Sequence, residues 1–457
     1  MSFVRRLVGR SARLRALGRG VRDAVRGPAP GSGTNRAESS HPTGRSALSG
    51  PLDPSAGVPE LHRVTARPAT AAGGPRLSLL LPTLEPNRTY GGARTALDLF
   101  EALGDSFPRR RIVAFHPVSE AAMTGLDGYR LADADDDPGD DRLVVAAPRG
   151  AETSLAVGPE DAFLATFWTT AELAIRLVRW QAGEFERAVR PFGYLVQDFE
   201  PGFYAWSAQS EIARATYAGD VPTIAIFNSG ALRDYFSTEG IRFEREYTFE
   251  PRLSPELRHA LEKTAAPRLR RIVAYGRPET PRNAFPLIVE GLRAWVATDP
   301  EADGWTAISV GRQHPPVELG RGLRLRSFGK LDIAAYGSVL RESAVGLSLM
   351  ISPHPSYPPL EMAHLGMLVV TNRFATKDLG TWHENITSIE ALTADGIAAA
   401  LSDATARFDA DPTVGDRGRP IRDEYLSEGP LFPFAPELAA LLGAPDREAE
   451  GAESLPD

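Results

Sequence analysis

The chain has 457 residues, 42% of them hydrophobic, which is room for two ordinary domains and tails. It contains no cysteine, so disulfides, Cys-based zinc sites and thiol catalysis are excluded and the cytoplasm is the default expectation. The net charge of -8 joins a basic first 50 residues, with ten Arg against Asp23 and Glu38, to an acidic body that argues against nucleic acid as a partner.

Residues 1–27 carry arginines at 5, 6, 10, 13, 15, 19, 22 and 26, with Val4, Leu7, Val8, Leu14, Leu17, Val21 and Val25 between them. As a helix this segment is basic on one side and apolar on the other, a pattern suited to peripheral contact with an anionic membrane. A disordered basic tail is the other reading. No apolar run in the chain approaches the roughly 20 residues that cross a bilayer. Residues 28–74, rich in Pro, Gly, Ser and Ala, read as a flexible linker.

The folded body opens with a buried strand over 76–82 and a helix over 93–103. Gly91 and Gly92 lie between them, where backbone amides can meet an anion at a helix start, or only ease a tight turn. Strands are predicted over 111–115, 142–146, 162–168, 194–197 and 223–227, with helices over 170–183, 207–217 and 231–239. The acidic stretch 133–141 lacks the spacing of a calcium loop. A charged zone over 243–270 reads as an interdomain link. Strands over 271–275, 305–310 and 323–328 and helices over 283–297, 333–343 and 394–408 form a second series. The expected architecture is α/β, with two Rossmann-like domains facing across a cleft. Their expected bounds are 75–245 and 246–430, followed by a tail over 431–457.

The most informative stretch is 345–372. Two charge-free apolar runs, 345–351 and 368–370, read as strands buried on both faces of a parallel sheet. Between them, four prolines over 352–359 exclude a helix or central strand, and a short helix is predicted from Leu360 to a cap at Gly366. So stiff a loop, at the carboxyl end of a sheet, suits the holding of polar groups at fixed positions. His354, Ser356, Tyr357 and Glu361 are its candidate donor contacts, although Glu361 also suits a helix N-terminus and His354 a loop bonded to backbone. Arg277 and Lys330 each follow a predicted strand through one glycine, and two cations with a carboxylate suit a sugar nucleotide; paired surface cations are the alternative. Asp198 and Glu200 end a strand of the first domain. Either is a candidate base for an acceptor hydroxyl, or a tie for the Pro201-Gly202 turn. No metal signature, P-loop, Gly-X-Ser-X-Gly elbow or full Gly-X-Gly-X-X-Gly is present.

With these residues in place, the chain resembles GT-B glycosyltransferases of the family-four grouping, and more closely the rhamnosyltransferases that extend bacterial surface polyrhamnans. The matching segments are LLLPTLEPNRTYGGARTAL, YLVQDFEPGFYAWSAQ, YGRPETPRNAFPLIVEGL and SLMISPHPSYPPLEMAHLGMLVVTN with KDLGTWHENI after it, across roughly residues 76–400. The resemblance implies a nucleotide-diphosphate sugar donor, dTDP-rhamnose, held by the second domain, with Arg277 and Lys330 at the pyrophosphate. Glu361 matches the second glutamate of the family's Glu-X7-Glu motif, and Gly91 and Gly92 its glycine-rich loop. The first glutamate of that motif falls at Pro353, a departure that bears on stereochemistry: an inverting reaction needs a base, and Asp198 is the candidate. The implied protein uses no metal or cofactor and works at the inner membrane face on a glycan or lipid-linked glycan. An epimerase on the same fold and a non-catalytic glycan-binding scaffold are the alternatives.

Overall fold

The computed structural model describes residues 57–58, 60–70, 74–85, 91–136, 141–147, 152–261 and 267–443. The basic segment 1–27, most of the expected linker and the acidic end 446–457 lie outside the described residues. A two-stranded parallel ribbon joins β1 (Val64–Pro68) to β6 (Thr153–Val157). The first large sheet holds β2 (Arg76–Leu81), β3 (Arg109–Ala114), β4 (Arg130–Asp133), β5 (Arg142–Ala146), β7 (Ala162–Ala165), β8 (Phe192–Val196), β9 (Thr223–Phe227) and β10 (Arg245–Thr248). Its order is β10-β9-β8-β7-β2-β3-β5-β4, all parallel.

Strand β2 shows why a mostly apolar run belongs at the centre. Leu77, Leu79 and Leu81 enter the core on one face with Leu99 and Phe100 of the helix Gly91–Ala102. Leu80 enters the core on the other face with Leu173, Leu177 and Val178 of the helix Trp168–Glu184. A strand covered on both sides needs apolar residues on both faces, and the two polar side chains of β2 are partnered, Arg76 with Asp161 and Ser78 with Arg111.

The second sheet holds β11 (Leu269–Gly276), β12 (Thr306–Gly311), β13 (Val317–Gly320), β14 (Leu323–Ser327), β15 (Ser343–Leu347), β16 (Leu368–Asn372) and β17 (Ile386–Ile389). The order is β13-β14-β12-β11-β15-β16-β17, parallel except for the β13–β14 pair. One face is covered by the helices Phe285–Thr298 and Ala394–Ala410, the other by Leu257, Leu340, Leu360 and Met362. These are the two Rossmann-like domains expected from the alternating pattern.

Three expectations differ from what the chain does. The zone 243–270 is not a bare link: β10 extends the first sheet, and the helix Pro255–Leu261 packs Leu257 under the second. Strand β10 reads Arg-Glu-Tyr-Thr on an exposed edge, so no apolar run announces it. Residues 435–443, expected within a tail, form a helix whose Leu438 and Leu442 complete the first domain's core. The helix expected from Leu360 begins at Tyr357, because Pro358 and Pro359 sit in its first turn, where no amide donor is needed.

Candidate functional site

The carboxyl ends of the two sheets meet, and polar side chains fix the loops there. In the second domain Asn283 Nδ2 donates to Leu349 O at 3.3 Å, and Ile351 N donates to Arg282 O at 2.7 Å. Asn372 pairs with Met350 both ways, accepting at Oδ1 (2.8 Å) and donating from Nδ2 (3.1 Å). Farther along, Ser352 Oγ accepts from His354 N at 3.0 Å, and Ser356 N donates to His354 Nδ1 at 2.9 Å. Ser356 itself has φ +71°, a conformation few non-glycine residues hold, so the surrounding bonds impose it. Across the junction, Thr376 Oγ1 donates to Ala231 O at 2.6 Å, and Tyr357 hydrogen-bonds Thr95 on the first-domain helix Gly91–Ala102.

At the centre of this junction stands Asp198, separated from the end of β8 by Gln197 and nearly buried. Its Oδ1 accepts from Ser352 Oγ and from Phe199 N, and its Oδ2 faces Arg282 Nε at 3.5 Å. Arg282 also lies over the Phe203 ring, 4.4 Å from its centroid. Lys377, 1% exposed, donates from Nζ to Met350 O at 2.5 Å. Burial pushes the Lys377 ammonium down to about 7, against the attraction of Asp198. Burial likewise pushes His354 down to about 4, helped by Lys377 and Arg282 and opposed by Asp198. His354 is therefore neutral at physiological pH, and because Nδ1 accepts from Ser356, Nε2 carries its proton. One first-domain carboxylate thus faces an arginine, a lysine that titrates near neutral pH, a neutral imidazole and a hydroxyl.

The other expected residues fall in three places. Arg277 follows β11 and contributes repulsion that lowers Arg282, so the two guanidiniums are neighbours. Lys330 follows β14 and is exposed. The turns after β11, β12 and β14 are tied together: Arg312 N donates to Gly276 O, and Gly311 N to Gly329 O, each at 2.9 Å. Gly311 has φ +122°, and a Cβ there would sit 2.7 Å from Gly276 O, so only glycine lets these turns meet. Gly91 and Gly92 open the helix Gly91–Ala102, and a Cβ on Gly92 would press on Gln197 Oε1, the residue before Asp198.

Glu361, on the helix Tyr357–His364, accepts from Tyr336 Oη at 2.8 Å. Burial raises its carboxyl to about 7, with Tyr336 opposing. Its folded value lies above the unfolded one, so the group costs stability from about pH 4.5 upward, until the cost levels off near 7. Glu361→Gln should therefore leave stability unchanged at pH 4 and raise it by roughly 1–3 kcal/mol at pH 8. Thermal melts across that range check this; a larger gain at pH 4 than at pH 8 would reverse the sign.

Glu200 is turned away from the junction. It is 1% exposed, and its Oε2 accepts from Trp168 N at 2.5 Å and Tyr194 Oη at 2.8 Å. Burial holds its carboxyl well above the usual range. It caps the helix Trp168–Glu184 inside the first domain, a structural task that leaves it no open face toward an acceptor.

Ser352, Arg282 and Lys377 complete the cluster and were not singled out from sequence. A signal existed for the last: the chain has three lysines, Lys263, Lys330 and Lys377, in a composition that otherwise uses arginine. Lysine kept in such a chain, inside KDLGTW after an apolar strand, suits a compact charge in a small space. Among the described residues no group of three His, Asp or Glu side chains is placed to hold a metal ion.

Two domain families match, described as the WsaF N-terminal domain over residues 76–230 and the WsaF C-terminal domain over residues 270–402. The O-antigen biosynthesis protein RfbC of Myxococcus xanthus is 34% identical over 248 residues, 54% of this chain. That match spans only 18% of RfbC's own length. WaaG, a glycosyltransferase involved in lipopolysaccharide biosynthesis, superposes with a TM-score of 0.50 at 12% identity, covering 81% of this chain and 100% of WaaG. The N-terminal domain of Candida albicans trehalose-6-phosphate phosphatase gives 0.51 at 10% identity, with coverages of 83% and 98%. At such identities the likeness concerns the fold, which is the GT-B arrangement of two Rossmann-like domains.

Proposed function

The chain belongs to the WsaF family, and from that premise we propose that it is a glycosyltransferase of bacterial surface-glycan synthesis. It moves L-rhamnose from dTDP-rhamnose to a glycan hydroxyl. The observation that carries this reading is the meeting of Asp198 with Arg282 and Lys377 between the two domains. The acceptor oxygen attacks the anomeric carbon of the donor sugar, and the bond from that carbon to the diphosphate breaks. The acceptor's proton passes to Asp198, and the diphosphate leaves with its added negative charge. Arg277 and Lys330, with Arg282 and Lys377, meet that charge at the carboxyl ends of the second sheet, so cations serve in place of a metal ion or cofactor. Glu361, His354, Ser356 and Tyr357 line the donor side, and Gly91 and Gly92 bring the first-domain helix close to the phosphates.

Donor binding comes first in this scheme. Before it, Arg282 faces Asp198 Oδ2; the diphosphate draws the guanidinium away and leaves that oxygen for the acceptor. No helix among the described residues is long and apolar enough to cross a membrane. Work at the cytoplasmic membrane face, on a lipid-linked glycan, would rest on residues 1–27.

The test is calorimetric binding of a panel of nucleoside diphosphates to the full chain, beside an Arg277→Ala, Lys330→Ala double variant. dTDP should bind the wild type, and the double variant should lose about tenfold or more. Binding of no nucleotide by the wild type would sink the donor reading and bring forward the glycan-binding scaffold. Release of free altered sugar from the donor without acceptor would favour an epimerase.

A further inference from the structure

Trp206 is 98% exposed, whereas no other large hydrophobic side chain among the described residues exceeds 58%. An indole left wholly in water by a folded chain calls for a reason, since tryptophan is highly buried on average. Its position is fixed rather than floppy. On one side, Tyr204 Oη accepts from Trp168 Nε1 at 2.9 Å, and the Phe203 ring stacks on Phe167 at 6.2 Å. On the other, Ser207 Oγ caps the helix Ala208–Ala215 by accepting from Ser210 N, and Ser210 Oγ returns to Pro201 O at 3.1 Å. The same short segment carries Asp198, and Phe203 touches the Arg282 that faces Asp198.

Charge selects the occupant. From Asp198 to Glu211 the chain has three carboxylates and no Lys or Arg. Asp198 and Glu200 are buried, so Glu211 is the charge of this segment that meets water, and an anionic bilayer finds no cation in the segment to hold. A neutral pyranose needs no cation: its C–H face packs on an indole, and the segment leads back to Asp198.

We propose that Trp206 is a stacking platform for a sugar of the acceptor glycan, holding the chain end whose hydroxyl meets Asp198. This rests on the glycosyltransferase reading. The assignment is of a binding residue: Trp206 takes no proton and touches no phosphate.

The experiment uses the full chain, its Trp206→Ala and Trp206→Phe variants, dTDP-rhamnose, and a methyl-capped trisaccharide of α-L-rhamnose as probe. Trp206→Ala should raise the KM for the trisaccharide by roughly ten- to a hundredfold, with Trp206→Phe in between. Donor hydrolysis without acceptor and dTDP affinity should be unchanged in both. The trisaccharide should also shield the exposed indole of the wild type from acrylamide quenching, a protection absent in Trp206→Phe. An unchanged trisaccharide KM in Trp206→Ala overturns the proposal. So does an emission shift on phosphatidylglycerol vesicles with none on the trisaccharide, which assigns the indole to lipid. If the wild type transfers nothing, the functional reading falls while quenching still decides: protection upholds the platform, and its absence overturns it.

Discussion

Asp198→Asn is expected to lower sugar transfer by about 10²–10⁴-fold, the range for loss of a positioned general base. Nucleotide binding should stay as tight or become tighter. The amide keeps the size of the side chain, and its oxygen can still accept from Ser352 Oγ and Phe199 N. What it cannot do is take the acceptor's proton. It also removes the negative charge 3.5 Å from Arg282, which frees that cation for a diphosphate. Transfer rates and dTDP calorimetry on the same preparation separate the two effects. Transfer within about tenfold of wild type would remove Asp198 from the base role, and a matched loss of dTDP binding would make it a structural residue.

Lys377→Met is the second large effect, and its sign depends on pH. In the free protein Lys377 is held down to about 7 by burial, so at neutral pH much of it is uncharged. A diphosphate beside it favours the ammonium, so binding should take up a proton between about pH 7 and 9. Calorimetry in two buffers of different ionisation heat reads this directly for the wild type, and Lys377→Met should show none of it. The variant should bind dTDP about ten- to a hundredfold more weakly at pH 7, the loss of one charge-assisted hydrogen bond. Stability moves the other way. As pH falls from 10.5, the unfolded chain takes the proton before the folded one, so wild type loses stability until about pH 7. Methionine removes that cost, and Met350 O keeps its bond from Asn372, so the variant should be more stable at pH 7 with an advantage that fades toward 10.5. Proton uptake equal in the two proteins would take Lys377 out of the donor site.

Most of the body was readable from the order of residues. Mostly apolar runs such as 77–81, and 345–351, whose strand spans Ser343–Leu347, form strands because a strand covered on both faces calls for apolar residues on both sides, a demand met residue by residue. Alternation of such runs with amphipathic helices leads to two Rossmann-like domains, and the proline-rich loop, Arg277, Lys330 and Asp198 all follow from lying at carboxyl ends of parallel strands. Edge elements were not readable: Arg245–Thr248 and Val317–Gly320 carry charge and lie at the rims of their sheets, so no apolar run marks them. The helix 435–443 shows the same limit, since its apolar face has meaning only against the first domain's core.

Composition and periodicity alone determined the class, the two sheets and the edge on which a site would lie, because those follow from local burial and spacing. Only the tertiary structure decided which polar groups share that edge. Asp198 and Glu200 are two residues apart and chemically alike in sequence. Packing turns one carboxylate toward Arg282 and Ser352, and the other onto the Trp168 amide and the Tyr194 hydroxyl. Lys377 met Asp198 from 179 positions away, through a cleft that neither domain forms by itself. A side chain's charge state and partners depend on what surrounds it in space, and that is settled only when the two sheets face each other.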